Sequence, residues 1–373
     1  MTHDHREAVR KALPELTGQL REDDELIVVD NASSDDTVAA VREAAPDATV
    51  IEMGSNVGFG AGCNRGADAA TGELLLFLNP DAVPTPGFRD AIERPLADGR
   101  GWAAWQGLVT AEGGTVINSR GGVVHFTGIA WAGGAGDPVP VKGGGGVPPV
   151  EASTRPPSRG ATAPVGAEEA DTGGMPPLPK EPGFVSGACL AIPCDAFVEV
   201  DGFAESFFLY HEDVDLSLRL RLAGGRLGVE PDAVVEHDYE FTKGPAKWRH
   251  LERNRWATLI RTYPGALLAL LAPALLVTEL ALIPISIAGG WSRQKLAAWG
   301  DVLASLPRLR AQRRAIQATR TITAAQFATA LSPDLASPYL GGAGRSRLLG
   351  RGLRAYWSLV VASLGGSRSA SAG

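Results

Sequence analysis

Leu74-Leu75-Leu76-Phe77-Leu78-Asn79-Pro80-Asp81 is the stretch on which the reading of this chain turns. Five apolar residues in a row are those of a strand covered on both faces. Pro80 has no amide hydrogen to offer a ladder, so the strand stops there. An acid, Asp81, is thereby delivered to the carboxyl end of a central strand. Open α/β sheets bind ligands at that edge. A hard carboxylate there can hold a divalent cation that bridges a diphosphate. Asn, Pro and Asp are also ordinary turn residues, so the run alone reads as well as a strand-ending turn.

Upstream, Ala8, Val9, Ala12, Leu13, Leu16 and Leu20 have helical spacing over residues 6–20. Residues 26–30, Leu-Ile-Val-Val-Asp, form a short strand ending in a second acid, Asp30. Ser33 or Ser34 can cap the helix that follows, and Asp35 and Asp36 suit its positive end. A strand is expected over residues 49–53. The glycine-rich run 56–62 comes next, and then a helix through residues 64–70. This alternation predicts a parallel α/β sheet. Such a sheet ordinarily opens with a strand, yet the first helix begins almost at Met1. The expectation is that a first strand is missing and that the true start lies upstream of Met1.

Downstream, residues 88–97 read as a helix and 102–109 as a strand. Around residues 133–182 glycine and proline dominate and apolar periodicity vanishes, which predicts a disordered insertion. A second acidic cluster follows an aromatic run: Phe207-Phe208-Leu209-Tyr210-His211-Glu212-Asp213-Val214-Asp215-Leu216. Leu216, Leu220 and Ala223 share a helical face, placing Glu212 and Asp213 near that helix's start, where acids are also ordinary caps. Residues 228–235 read as a last strand with His237, a potential metal ligand, just past its end.

A net charge of −7 over 373 residues argues against a general nucleic-acid binder. Three cysteines, with no zinc-like spacing, fit a reducing compartment, and Cys189 and Cys194 read as core residues. No secretory signal opens the chain. After residue 238 the chain turns basic. Residues 265–290 are nearly all apolar, interrupted by Pro273, Glu279 and Pro284, and are long enough to span a bilayer. Basic residues on both flanks conflict with a single crossing. A re-entrant hairpin or a pair of interfacial helices removes the conflict; a buried soluble hairpin is the alternative.

Taken together, Val28-Val29-Asp30-Asn31-Ala32-Ser33-Ser34-Asp35, Asn56-Val57-Gly58-Phe59-Gly60, Leu78-Asn79-Pro80-Asp81, Ser186-Gly187-Ala188 and Glu212-Asp213-Val214-Asp215-Leu216 resemble glycosyltransferase family 2, in its bacterial rhamnosyltransferase-like branch. The resemblance implies a GT-A fold, a Rossmann-like and mostly parallel sheet flanked by helices, over residues 1–240. A membrane-associated helical region over 241–314 and a poorly defined tail over 315–373, with a short apolar helix expected over residues 356–364, would follow. It implies that Asp30, Asn31, Asn56, Gly58 and Asn79 border the nucleotide-sugar donor. Asp81 and His237 would hold a divalent metal, Mn²⁺ or Mg²⁺. Asp213 would be the general base, with Glu212 beside it in the acceptor pocket. Asn79 stands where the family has its first metal-site acid.

The implied reaction is inverting transfer of a sugar, rhamnose by resemblance, to a lipid-linked or cell-envelope glycan such as a polyprenyl-linked acceptor. The place would be the cytoplasmic face of the plasma membrane. Galactofuranose or mannose donors are alternatives, as is a non-catalytic membrane-attached scaffold. A dinucleotide fold built on Gly58, Gly60, Gly62 and Gly66 competes weakly, because the spacing is Gly-X-Gly-X-Gly.

Overall fold

A computed structural model of the chain describes residues 1–140, 181–237, 244–335 and 346–366. Most of the expected Gly/Pro-rich insertion lies outside the described residues. The first half alternates helix and strand through α1 (Arg6–Thr17), β1 (Ile27–Asp30), α2 (Thr37–Ala44), β2 (Thr49–Glu52), α3 (Phe59–Ala69) and β3 (Leu74–Leu78). β4 (Val83–Pro84), α4 (Phe88–Ala97) and β5 (Trp102–Ala111) continue it. Short strands β6 (Val116–Ser119), β7 (Gly122–Val124) and β8 (Ala130–Ala132) precede β9 (Cys189–Pro193), α5 (Cys194–Glu199), α6 (Glu212–Leu222) and β10 (Arg226–Glu236).

The α/β layering matches expectation, while the strand pairing is more mixed than a mostly parallel sheet. The main sheet runs β3-β9-β5-β10-β4, with β6 against β5. Only β5 and β10 are parallel there; β1 and β2 pair in parallel separately. Mixing arises because β9 enters between β3 and β5 antiparallel to both. β4 folds straight back after the Pro80 turn and pairs antiparallel with β10. Core residues Leu190, Ala191, Ile192, Ala104, Trp105 and Leu227 are almost wholly buried beneath the helices.

These pairings set the functional edge. Leu78 faces Cys189, and the Asn79 amide donates to Ala188 O at 3.0 Å, so the end of β3 meets the loop before β9. Glu236 faces Val83, so the end of β10 meets the start of β4, two residues beyond Asp81.

Between β1 and β3 lies an apolar slot of about 500 Å³. Its walls include Val28, Val29, Leu75 and Phe77, with Val9 and Leu16 of α1 on one side and Cys63 of α3 on the other. Among the described residues no strand joins β1 to β3. Thr2 alone bridges β1, in parallel with Asp30: its amide donates to Val29 O and the Asn31 amide donates to its carbonyl, both at 2.8 Å.

The remaining helices are α7 (Ala246–Thr262), α8 (Gly265–Ala288), α9 (Ser292–Ala318), α10 (Ala324–Ala328) and α11 (Arg347–Gly366). The segment read as a poorly defined tail thus includes the end of α9, all of α10 and α11. Phe327, Leu331, Trp357, Val360 and Leu364 pack with Leu267, Leu271 and Leu275 of α8 and with Leu218 of α6 in one core cluster. α11 contains the short apolar helix expected over residues 356–364 and extends it at its start through Gly350 and Gly352.

α8 is, among the described residues, the one helix long and apolar enough to cross a membrane. Its buried face is narrow. Leu276, Val277, Leu280 and Ile287 are 59–65% exposed, and every exposed residue from Gly265 to Ala288 is apolar. Glu279, in the middle of α8, points the other way. Its carboxylate accepts from Lys295 Nζ (2.9 Å), Trp299 Nε1 (3.0 Å), Trp256 Nε1 (3.2 Å) and the Arg255 guanidinium. Charge is also uneven: from Leu280 to the end there are twelve arginines and lysines against two acids, in a chain of net charge −7.

Candidate active site

Asp81 sits in the turn closing β3, and His237 follows β10. His237 Nε2 lies 3.1 Å from Asp81 Oδ1 and 3.5 Å from Asn79 Nδ2. His237 is anchored at its backbone: its amide donates to Thr110 O and its carbonyl accepts from Asn118 Nδ2, both at 2.8 Å. The Asp81 side chain is 40% exposed. Burial raises its carboxyl's affinity for protons, but the hydrogen bond and charge of His237 outweigh that and hold it below the ordinary value. No cluster of three His, Cys, Asp or Glu side chains exists among the described residues. A carboxylate and an imidazole still suit an octahedral cation that takes its remaining ligands from phosphate and water. The residues present therefore fit a diphosphate-bound Mg²⁺ or Mn²⁺.

The residues expected to border a donor form a hydrogen-bonded bracket. Asn31, almost wholly buried, donates from Nδ2 to Asn56 Oδ1 at 2.9 Å and to Gly58 O at 3.2 Å. Its Oδ1 accepts from the Val57 amide at 2.9 Å. Asp30 is also buried, and its carboxylate accepts from Ser33 N, Ser33 Oγ and Thr2 Oγ1. In this arrangement Asp30 shapes the loop after β1 and lies under Thr2. Gly58 has φ of 89°, and a Cβ there would meet Phe208 O at 2.4 Å. The Phe59 amide donates to the same carbonyl at 2.7 Å. The bracket thus touches the loop that carries the second acidic cluster.

That loop is strained. Phe208, Tyr210 and His211 all have φ between 64° and 70°, which side-chain-bearing residues rarely adopt. Asn254 of α7 holds it: one amide group donates to the carbonyls of Phe207, Leu209 and Tyr210 at 3.0, 2.9 and 2.7 Å. α6 then starts at Glu212. Asp213 Oδ2 accepts from the Gly187 amide at 3.1 Å and Oδ1 from the Val214 amide at 2.8 Å. Glu212 is buried, and its Oε2 has no hydrogen-bond partner among the described residues. Burial, and then the Asp213 charge, push the Glu212 carboxyl well above the ordinary range. Burial also raises Asp213, against the two amides. Asp215 is the structural acid of the motif, fully buried, with Arg219 Nε at 2.7 Å and Arg261 Nη1 at 3.4 Å.

The two acidic motifs meet through one short loop. Asn79 bonds Ala188, and the neighbouring Gly187 bonds Asp213. Asp81 and His237, at the ends of β3 and β10, are thereby tied to Asp213 at the start of α6, while Asn31 with Asn56 and Gly58 follows β1 of the separate two-stranded sheet and meets the loop at Phe208. Asn254 was missed in the sequence because it lies 41 residues beyond Asp213, inside a helix whose spacing gives no sign of a polar clamp. Its place in Glu252-Arg253-Asn254-Arg255, four polar residues between Leu251 and Trp256, was the one signal.

Residues 1–120 match the family described as Glycosyl transferase family 2. Over 255 residues the chain is 28% identical to an N-acetylglucosaminyl-diphospho-decaprenol L-rhamnosyltransferase of Mycobacterium tuberculosis, covering 63% of this chain and 73% of that protein. Residues 1–120 thus carry a glycosyltransferase family 2 domain. This glycosyltransferase is also 46% identical over 48 residues to the rhamnosyltransferase WbbL of Escherichia coli, 13% of this chain and 18% of that protein. Among solved structures, a mannosyltransferase from Pyrobaculum calidifontis in complex with GDP-Man and Mn²⁺ is similar at TM-score 0.45. It is 17% identical, over 85% of this chain and 83% of that one. The matched residues include the bracketed loop and the β3 turn.

Proposed function

We propose that this glycosyltransferase moves rhamnose, with inversion, from a nucleoside diphosphate donor to a lipid-linked, diphosphate-bearing glycan at the cytoplasmic face of the membrane. The observation that carries the reading is the single loop 186–188, which bonds Asn79 on one side and Asp213 on the other. It ties the β3 turn that carries Asp81 to the start of α6 that carries Asp213, which supports reading the two acids as parts of one site.

The division of labour follows from the chemistry. The acceptor hydroxyl attacks the anomeric carbon opposite the diphosphate. As the new C–O bond forms, the bond to the diphosphate breaks and Asp213 takes the hydroxyl proton. Two amide donors keep Asp213 aimed and favour its charged form, while Glu212 is the better protonated of the pair. Asp81 and His237 would hold a divalent cation, which supplies positive charge to the leaving diphosphate. The Asn31–Asn56–Gly58 bracket borders the donor. The sugar and the acceptor rest on likeness to the mycobacterial rhamnosyltransferase. The exposed apolar stripe of α8 supports membrane attachment along the surface, since Glu279 ties its other side to charged α7 and α9.

The test is transfer from dTDP-rhamnose to a short-chain lipid diphosphate N-acetylglucosamine by purified protein, with GDP-mannose and UDP-galactofuranose in parallel. Activity is expected with dTDP-rhamnose, abolished by EDTA and restored by Mg²⁺ or Mn²⁺. Asp81→Ala and Asp213→Asn should each lose 10²-fold or more, within the ordinary range for a missing acid–base group, while melting like wild type. Transfer from another donor alone would overturn rhamnose. Binding of no nucleotide sugar would favour the scaffold reading, which the burial of Asp30 under Thr2 supports.

A further inference from the structure

A cavity of about 220 Å³ lies between α7 and α9, on the far side of the strained loop from the donor bracket. Adjacent carbonyls of that loop face the two sides. Phe208 O accepts from Phe59 on the donor side, and Phe207 O accepts from Asn254 and, at 2.5 Å, from Arg253 Nη2 on the cavity side. Three arginines line the cavity: Arg249, Arg253 and Arg308. The one acid among its lining residues, Asp301, is already engaged by Arg249 through two bonds of 2.7 Å. Arg308 has no hydrogen bond or ion pair among the described residues, and two positive charges remain unbalanced. Burial, with a smaller push from the Arg249 and Arg308 charges, holds the half-buried Arg253 below its ordinary value against the pull of Asp301. The floor is apolar, with Phe207, Ala257, Val302 and Leu309. Beside Val302, Leu303 is 69% exposed.

We propose that this cavity binds the diphosphate of the lipid-linked acceptor, with the first lipid carbons along Val302 and Leu303. This rests on the reading that the acceptor is lipid-linked through a diphosphate. Guanidinium groups recognise phosphate oxygens in paired, charge-assisted hydrogen bonds, and two unpaired positive charges match a diphosphate's excess of negative charge. The acceptor sugar then reaches over residues 207–211 toward Asp213, six residues past Phe207 in the chain. The strained loop separates two diphosphates, one leaving with the donor and one staying with the acceptor.

Arg308 is the residue to change, because it holds no other part of the fold. In the full-length enzyme, Arg308→Glu should raise the acceptor KM tenfold or more while kcat and the donor KM stay within twofold. Arg308→Lys should recover much of that loss. Farnesyl diphosphate should compete with acceptor and not with donor, and more strongly than inorganic pyrophosphate. An unchanged acceptor KM in Arg308→Glu, or competition by farnesyl diphosphate against donor alone, would overturn the site. Equal competition by inorganic pyrophosphate would overturn its assignment to a lipid-linked diphosphate. Calorimetry of farnesyl diphosphate with saturating dTDP and Mg²⁺ separates this from the catalytic reading. Wild type should bind and Arg308→Glu should bind at least tenfold more weakly, whether or not any sugar is transferred.

Discussion

Glu212 is a buried carboxyl beside a second carboxyl, and its protonation is tied to folding. Its folded value lies above the ordinary glutamate value of 4.5. The native state therefore binds a proton that the unfolded chain has released above that value, and stability falls as pH rises from about 4.5 toward the raised value. Glu212→Gln removes this cost. We expect it to raise Tm at neutral pH and the gain to shrink to nothing near pH 4, read from melting curves across that range. Asn254 works at the same scale. Asn254→Leu should cost about 1–3 kcal/mol through the carbonyls it leaves unpaired. It should also lower kcat on the order of 10²-fold by releasing the loop before Asp213, with the KM for donor little changed. A kcat at the wild-type level in a folded variant would show that the clamp positions nothing.

At the scale of elements, the strands and their terminal acids were legible because a buried apolar run must end in a turn, and a turn residue that is acidic stands out. β1, β3 and α4 fall within a residue of where periodicity put them. The mixed pairing of β9 was not legible, since strand direction depends on how residues 112–188 return. In α11, residues 356–364 were legible as a short apolar helix, whereas its first turns, with Gly350 and Gly352, were not. At the site, Asp81, His237, Asp213 and Glu212 were legible as motif residues, whereas the burial of Asp30 under Thr2 depends on a contact 28 residues apart. The slot between β1 and β3 makes a prediction of its own. Its apolar lining, including Leu75 and Phe77, is surface that an added strand would cover. Its walls are strand edges, so an extended apolar segment fits it best. Five β-branched residues fused ahead of Met1 would continue the parallel pairing of Thr2 along β1. We expect that fusion to raise Tm and reduce binding of a hydrophobic dye, and a scrambled polar fusion to do neither.

For the molecule as a whole, the apolar stripe of α8 and the basic end of the chain predict attachment to anionic vesicles. Co-sedimentation should be strong with phosphatidylglycerol, weak with phosphatidylcholine, and reduced by about 0.5 M salt, which shortens the reach of surface charge to a few ångströms. Leu276→Glu with Leu280→Glu should abolish it without lowering Tm, because both side chains are already exposed. Retained co-sedimentation in that variant would move the attachment elsewhere. The uneven charge has a mechanical side as well. Nearly all the acids lie ahead of Leu280 and the end of the chain is basic, so a negatively charged surface attracts that end before any contact is made. On the membrane-attached reading, encounters with the surface are thereby biased in orientation before the apolar stripe touches it.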